Sequence, residues 1–422
     1  MYLIYNALLA IAFVLSIPFY LWKGRGSGKY LKTFRERCGN LAHGVAGETP
    51  SIWIHAVSVG EVLAARTLIE PLRARFPGRR IVVSTTTVTG NSVARASLKG
   101  HDALFFTPFD FPSAVRRALA ATRAELLLLV ETELWPNLIR EARRRGTRVA
   151  LVNGRISPRS FPRYRRVRFF LEPVLAQVDL LLMQGEPHAE RIRAMGAPAS
   201  RVRVTGNLKF DALDVPEPSD ALRAAFEPMA GRPLLLAGST VEGEEAMLLR
   251  AYASLLASQP TLALALAPRH PERFDAVPAI VEAAGFRCRR RSTRNAAPLG
   301  DREVLLLDSL GELAAAYSLA TIAFVGGSLA PKGGHNVLEA AAWGKPVVVG
   351  PHMENFQEIA DQFLAAGALV QVAGEDGLVQ AIEGLLRDEP RRRDLGARGR
   401  ALVDANRGAL LRTVDALAEL HV

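Results

Sequence analysis

Apolar runs of strand length recur along this chain, each followed by a polar turn and a segment with helical spacing. In the first half they are Ile52–Val57, Ile81–Thr85, Leu104–Thr107, Leu126–Val130, Val149–Val152 and Leu180–Met183. A break comes at Ala212–Asp220, where Pro216 and Pro218 preclude regular structure. The alternation resumes with Leu234–Ala237, Leu262–Ala267, Val304–Leu307, Ile322–Val325 and Val347–Val349. Alternating β and α elements with short loops predict parallel sheets covered by helices. Two such sheets about a proline-bearing joint make two Rossmann-like α/β domains facing a cleft, with ligands beyond the carboxyl ends of the strands. The expected division is a helix at 1–22, a first domain at 23–212, a linker at 213–220 and a second domain at 221–400. Residues 401–422 are expected to form a C-terminal helix that packs back on the first domain. The basic stretch Arg287–Arg302 reads as a loop.

Polar residues gather at the predicted strand ends. The segment Thr321–Phe356 reads as a strand, a glycine-rich loop, a helix from about Asn336 to Trp343 and a second strand. Gly326, Gly327, Gly333 and Gly334 let backbone approach a ligand, while His335 and Glu339 add side chains on one side. Such a loop at a helix start suits phosphate and ribose, and it suits equally an ordinary βαβ unit with Asn336 as a cap. Three strand ends carry Ser-x-x-Glu: Ser58–Glu61, Ser239–Glu242 and Ser309–Glu312. Each is a capping box on its face, worth ~1 kcal/mol and implying no chemistry. Glu131 and Glu133 end one strand, Lys209 sits in Gly206–Asp211, and Arg269 and His270 follow another strand.

The first 22 residues carry no charged side chain, and Lys23, Arg25, Lys29, Lys32, Arg35 and Arg37 follow at once. About 20 apolar residues span a bilayer core, and basic flanks favour the cytoplasmic side. A membrane-anchor helix is therefore expected there. Asn6 and Pro18 interrupt the apolar run, which leaves a helix lying in the interface as the other form of anchor. A second basic region, Arg155–Phe170, interleaves arginines with Phe161, Tyr164, Phe169 and Phe170 and suits a lipid surface.

At 422 residues and 49% hydrophobic composition, the chain can fill two cores, and global disorder is excluded. A net charge of +11 points to an anionic partner. No recognition helix or RNP-like aromatic strand supports nucleic acid in that role. Cys38 and Cys288 stand apart, without a disulfide framework, and no HExxH, cysteine cluster or Asp-x-Asp metal motif occurs. A dehydrogenase is disfavoured, because no GxGxxG follows a strand.

Taken together, HAVSVGEV (His55–Val62), ETELWPN (Glu131–Asn137), VNGRISPRSF (Val152–Phe161) and GNLKFD (Gly206–Asp211) resemble the Kdo transferases of lipopolysaccharide synthesis. GSTVEGEE (Gly238–Glu245), APRHPERF (Ala267–Phe274) and GGSLAPKGGHNVLEAA (Gly326–Ala341) carry the same resemblance through the second half. Kdo is 3-deoxy-D-manno-oct-2-ulosonic acid. The chain departs from the family pattern at Val241, where histidine is expected, at Gly154, where alanine is usual, and at Lys332, where arginine is common.

The resemblance implies a GT-B fold and inverting, metal-independent transfer of Kdo from CMP-Kdo, without a cofactor. The acceptor it implies is a hydroxyl of a phosphorylated lipid A precursor (lipid IVA) at the cytoplasmic face of the inner membrane. It makes Glu61 the general base, Lys209 and Glu131 stabilising residues, and Arg269 part of the CMP site. Pro268, Gly311, Glu312, Leu313, Asn336, Val337, Leu338 and Glu339 complete the implied donor contacts. A free glutamate titrates near ~4.3, so Glu61 is expected to be ionised at neutral pH. The alternative is another GT-B transferase that uses a UDP-sugar and a lipid acceptor.

Overall fold

The computed structural model describes residues 1–24, 29–42, 44–211, 213, 215–293, 300 and 302–421. Arg25 of the basic flank, part of the predicted 213–220 joint, and 294–299 and 301 of the Arg287–Arg302 stretch lie outside the described residues. The chain divides into two compact units, Met1–Ala212 with Arg407–Val422, and Leu213–Asn406.

The first unit is built on β1 (Ser51–His55), β2 (Arg80–Thr85), β3 (Ala103–Phe106), β4 (Ala124–Val130), β5 (Arg148–Gly154), β6 (Leu180–Met183) and β7 (Val202–Val204). Their order is β3-β2-β1-β4-β5-β6-β7, all pairs parallel. Helices cover both faces, because the sheet is apolar on both. Trp53, Phe105, Leu127 and Leu151 fill one side, and Ile52, Ile54, Leu126 and Leu128 the other. The C-terminal helix Ala409–Ala418 belongs to this unit, where Ala409, Val414 and Leu417 join the second of these clusters.

The second unit repeats the plan with β8 (Leu234–Thr240), β9 (Ala263–Pro268), β10 (Arg287–Arg290), β11 (Glu303–Leu306), β12 (Ile322–Val325), β13 (Val347–Val349) and β14 (Val370–Gln371). The order is β10-β11-β9-β8-β12-β13-β14, again parallel. Two doubly wound α/β units of this kind are the GT-B class expected from the sequence.

Three strands escaped the sequence reading, and each has a physical reason. β7 and β14 are short edge strands, and β10 reads Arg-Cys-Arg-Arg because an edge faces water and carries charge. Part of the Arg287–Arg302 stretch, expected as a loop, is therefore sheet. Its arginines are held by Glu303, Asp308, Asp275 and Glu312. The glycine at 154 has a local cause too: a Cβ there would lie 2.6 Å from Met183 Sδ.

The N-terminal helix runs Tyr2–Gly24 and is two-faced. On one face Tyr5 donates to Asp110 at 2.8 Å and Asn6 accepts from Asn137 at 2.6 Å. Arg140 lies 4.2 Å over the Tyr2 ring, and Phe13 meets Phe109 and Phe111 edge-on. On the other face Leu3, Ile4, Leu8, Ile11, Val14 and Leu15 are exposed. Among the described residues, no helix is long and apolar enough to cross a membrane.

Candidate active site

Open parallel sheets bind ligands where the strand order reverses, beyond the carboxyl ends. In the first unit that point lies between β1 and β4. The helix that follows β1 carries Glu61 in its first turn, and the loop after β4 carries Glu131 and Glu133. The helix Val59–Arg75 starts on Ser58, whose hydroxyl caps the Glu61 amide. Glu61 folds back: Val57 N–H and the Ser58 hydroxyl each donate to its carboxylate at 2.7 Å. The serine half of the expected capping box forms, while the glutamate reaches one residue past the cap to Val57 N–H; Glu61 is 6% exposed.

That burial has an electrostatic consequence. Loss of hydration pushes the Glu61 carboxyl up to about 7, against the two hydrogen bonds that lower it, and Glu133 and Glu131 add repulsion. The expectation of a fully ionised carboxylate at neutral pH is therefore corrected: Glu61 is raised into the neutral range. Its open side faces a cavity of about 270 Å³ lined by Glu131, Thr132, Glu133, Arg155, Ser157, Ser160 and Tyr164.

Glu131 sits in the left-handed region at φ 61°, a conformation that costs a non-glycine residue ~1–3 kcal/mol and clusters at functional sites. Its N–H is held by the Val152 carbonyl at 2.9 Å. Its carboxylate lies 3.7 Å from Arg155 and 4.0 Å from Lys209. Glu133 accepts from Trp135 Nε1 at 2.8 Å, and burial raises its carboxyl above the ordinary range.

Lys209 is delivered by an amide ladder. Asn153 Oδ1 accepts from Leu208 N–H, Gln184 donates to the Asn153 carbonyl, and Asn207 donates to Gln184. Asp211 then accepts the N–H groups of Gly408 and Leu410, so the last helix of the chain locks the same segment. His55, at the end of β1, is fully buried with Nδ1 at 3.0 Å from Ser84 Oγ and 3.2 Å from Thr107 Oγ1. Burial drives it down to about 3, so it is neutral and structural.

In the second unit the strand order reverses between β8 and β12. Arg269 leaves the end of β9, its N–H bonded to the Thr240 carbonyl at 2.9 Å. The glycine loop leaves β12. His335 is lowered to about 4 by burial, then by Arg269 and His270, so it is neutral and within their field. Glu339 is raised by burial, opposed by the Asn336 hydrogen bond at 3.2 Å and by Arg269. Arg269 thus acts electrostatically on both His335 and Glu339.

Other expected donor residues are placed more modestly. Asn336 Oδ1 accepts from Leu338 N–H at 3.2 Å, and the helix itself is Leu338–Ala342, shorter than expected. Val337 and Leu338 turn their side chains into the core, leaving only backbone to a ligand. Pro268 is buried as the last residue of β9. Gly311 has φ 80° with open space around it, and Leu313 starts a helical turn. Glu312 is engaged by Ser309 and by Arg291 at 2.9 Å.

Only at the first of the three Ser-x-x-Glu signatures does the serine cap the glutamate amide. At Ser309 the hydroxyl bonds the glutamate without capping an amide. At Ser239 the helix begins later, on Gly243, and Glu242 is exposed. Glu244 and Glu245 are the buried pair there, and the spacing rule passed over them. Arg155, Ser157, Ser160 and Tyr164 were also missed as cavity residues. Arg155, Ser157 and Ser160 lie in the VNGRISPRSF motif and Tyr164 just beyond it, in the stretch whose aromatics and arginines also suited a lipid surface.

Residues 32–212 match the family model described as 3-deoxy-D-manno-octulosonic-acid transferase (kdotransferase), and 296–402 match glycosyl transferases group 1. A 3-deoxy-D-manno-octulosonic acid transferase of Haemophilus influenzae is 36% identical over 98% of this chain and 97% of its own. One from Bordetella pertussis is 38% identical over 87% of each chain. Among solved structures, Anabaena HepE in complex with UDP superposes with a TM-score of 0.55 at 14% identity, covering 88% of this chain and 99% of its own. The last likeness is one of fold.

Proposed function

This chain belongs to the 3-deoxy-D-manno-octulosonic-acid transferase family and is a glycosyltransferase, and on that premise we propose that it moves Kdo from CMP-Kdo to a hydroxyl of a phosphorylated lipid A precursor. The observation that carries the proposal is Glu61. A carboxylate buried at the strand-order reversal, raised to about 7 and open to a polar cavity, is matched to accepting a hydroxyl proton near neutral pH.

In the proposed reaction, the acceptor hydroxyl gives its proton to Glu61 as its oxygen bonds the anomeric carbon of Kdo. The bond from that carbon to the CMP phosphate oxygen breaks with inversion. A glycosidase needs a second carboxyl to protonate its leaving oxygen. A nucleotide phosphate departs as an anion, so cations serve it better. Lys209, oriented by Glu131, and Arg269, beside His335 and Glu339, are the proposed sources of that charge.

We also propose that the N-terminal helix lies along the cytoplasmic face of the inner membrane. Its Tyr2–Tyr5–Asn6 face is engaged by protein, while its Leu3–Leu8–Val14 face is free for lipid. The test of function is purified protein with CMP-Kdo and a tetra-acylated lipid A precursor, with products weighed by mass spectrometry. Acceptor mass should rise by one or more Kdo units, and CMP, not UDP, should protect the protein thermally. Transfer from a UDP-sugar with CMP-Kdo inert would overturn the donor assignment, and loss of activity in chelator with return on a divalent ion would overturn metal independence.

A further inference from the structure

The second unit carries two adjacent glutamates, Glu244 and Glu245, that the proposed chemistry does not use. Both are wholly buried in the first turn of the helix Glu244–Leu256. They reach in different directions. Glu244 accepts five backbone N–H groups: Val241 at 3.1 Å, Gly327 at 2.7 Å, Ser328 at 2.9 Å, Leu329 at 2.8 Å and Ala330 at 3.2 Å. Four of these belong to the glycine loop that leads to His335 and Asn336. A carboxylate has about four lone-pair sites, so the acceptor capacity of Glu244 is filled by backbone. Gly326 leaves room here, since a Cβ would stand 2.5 Å from the Ser239 carbonyl oxygen and 2.8 Å from Glu244 Oε2.

Glu245 serves the other loop. Its Oε2 accepts from Arg273 Nη2 at 2.8 Å, and its Oε1 from Thr240 Oγ1 at 3.0 Å. Arg273 closes the turn Pro271–Arg273 directly after Arg269 and His270. Thr240 also receives the Arg269 N–H on its carbonyl. The segment bearing Arg269 is thus tied at both ends to one buried carboxylate and the strand beside it.

We propose that Glu244 and Glu245 form a two-armed brace that fixes the glycine loop and the Arg269 loop relative to each other, holding them ready for the donor nucleotide. The proposal rests on the reading of this unit as the donor site. Neither glutamate touches the ligand. Both are positioning residues, and Arg273 acts through Arg269.

The experiment is calorimetric titration with CMP, plus steady-state kinetics with both substrates, on the wild type, Arg273→Gln, Arg273→Lys and Glu244→Gln. Arg269→Ala with and without Arg273→Gln completes the set. A misplaced binding group costs one to two orders of magnitude, so Arg273→Gln should weaken CMP by about tenfold or more. The donor KM should rise with it while the acceptor KM stays within about twofold, a split that general loss of stability would not produce. Arg273→Lys should recover most of the affinity, and Arg273→Gln should add under about twofold to Arg269→Ala, as expected for two residues in one path. Failure of the wild type to bind CMP would overturn the donor reading and the brace with it. Normal CMP binding by folded Arg273→Gln, or equal rises in both KM values, would overturn the brace alone. Glu244→Gln, if it folds, should show the same donor-selective loss.

Discussion

Glu61 and Glu244 occupy matching places in the two units. Each stands in the first turn of the helix that follows the strand beside the reversal of strand order, and each is buried. Their surroundings differ in one respect. Glu61 has two donors, Val57 N–H and the Ser58 hydroxyl, and an open side. Glu244 has five backbone donors and no open side. Burial with few donors leaves a carboxylate poised to exchange a proton. Burial with many turns the same side chain into a fastening for backbone. On the proposed reading, the number of N–H groups aimed at a buried glutamate separates chemistry from architecture where residue type and helix position do not.

The contrast breaks most sharply under the same substitution at both places. Glu61→Gln should lose transfer by ~100-fold or more, because the amide cannot take a proton. Its stability in urea should stay within about 1 kcal/mol of wild type, since glutamine satisfies a capping box almost as well. Glu244→Gln should do the reverse on folding, losing roughly 2–4 kcal/mol because its NH₂ must face an N–H. Equal stability losses in the two variants would erase the comparison.

A smaller effect sharpens it. The Glu61 carboxyl is raised from 4.5 to about 7 in the folded protein. The folded state therefore binds the extra proton, and this contribution to stability falls as pH rises from 4.5 to about 7. Glu61→Gln removes that fall. Its melting temperature relative to wild type should climb between pH 5 and pH 8, by a few degrees on the usual scale. A difference that is flat with pH would mean the carboxyl is not perturbed.

Much of this was legible in the residues. Leu126–Val130 and Ile322–Val325 declare buried parallel strands, and Ser58–Glu61 marks a helix start at a strand end. The same spacing misled at Ser239, because Gly243, at φ 92°, delays the helix and hands the buried role to Glu244 and Glu245. A hydrogen bond between residues 83 apart in sequence, such as Gly327 N–H to Glu244, leaves no local signature. The raised carboxyl of Glu61 was equally hidden. It depends on how much water the fold removes and on Glu131 and Glu133 arriving from another strand.

The pH dependence of kcat/KM for wild type and Glu61→Gln, measured with CMP-Kdo and the lipid acceptor, tests the central claim most directly. The account predicts that wild-type transfer rises with pH along an acid limb centred near 7, the value to which burial lifts Glu61. It further predicts that this limb is absent from the residual activity of the variant. The same limb persisting in Glu61→Gln would contradict it, as would a wild-type limb at the ordinary carboxylate value near ~4.3.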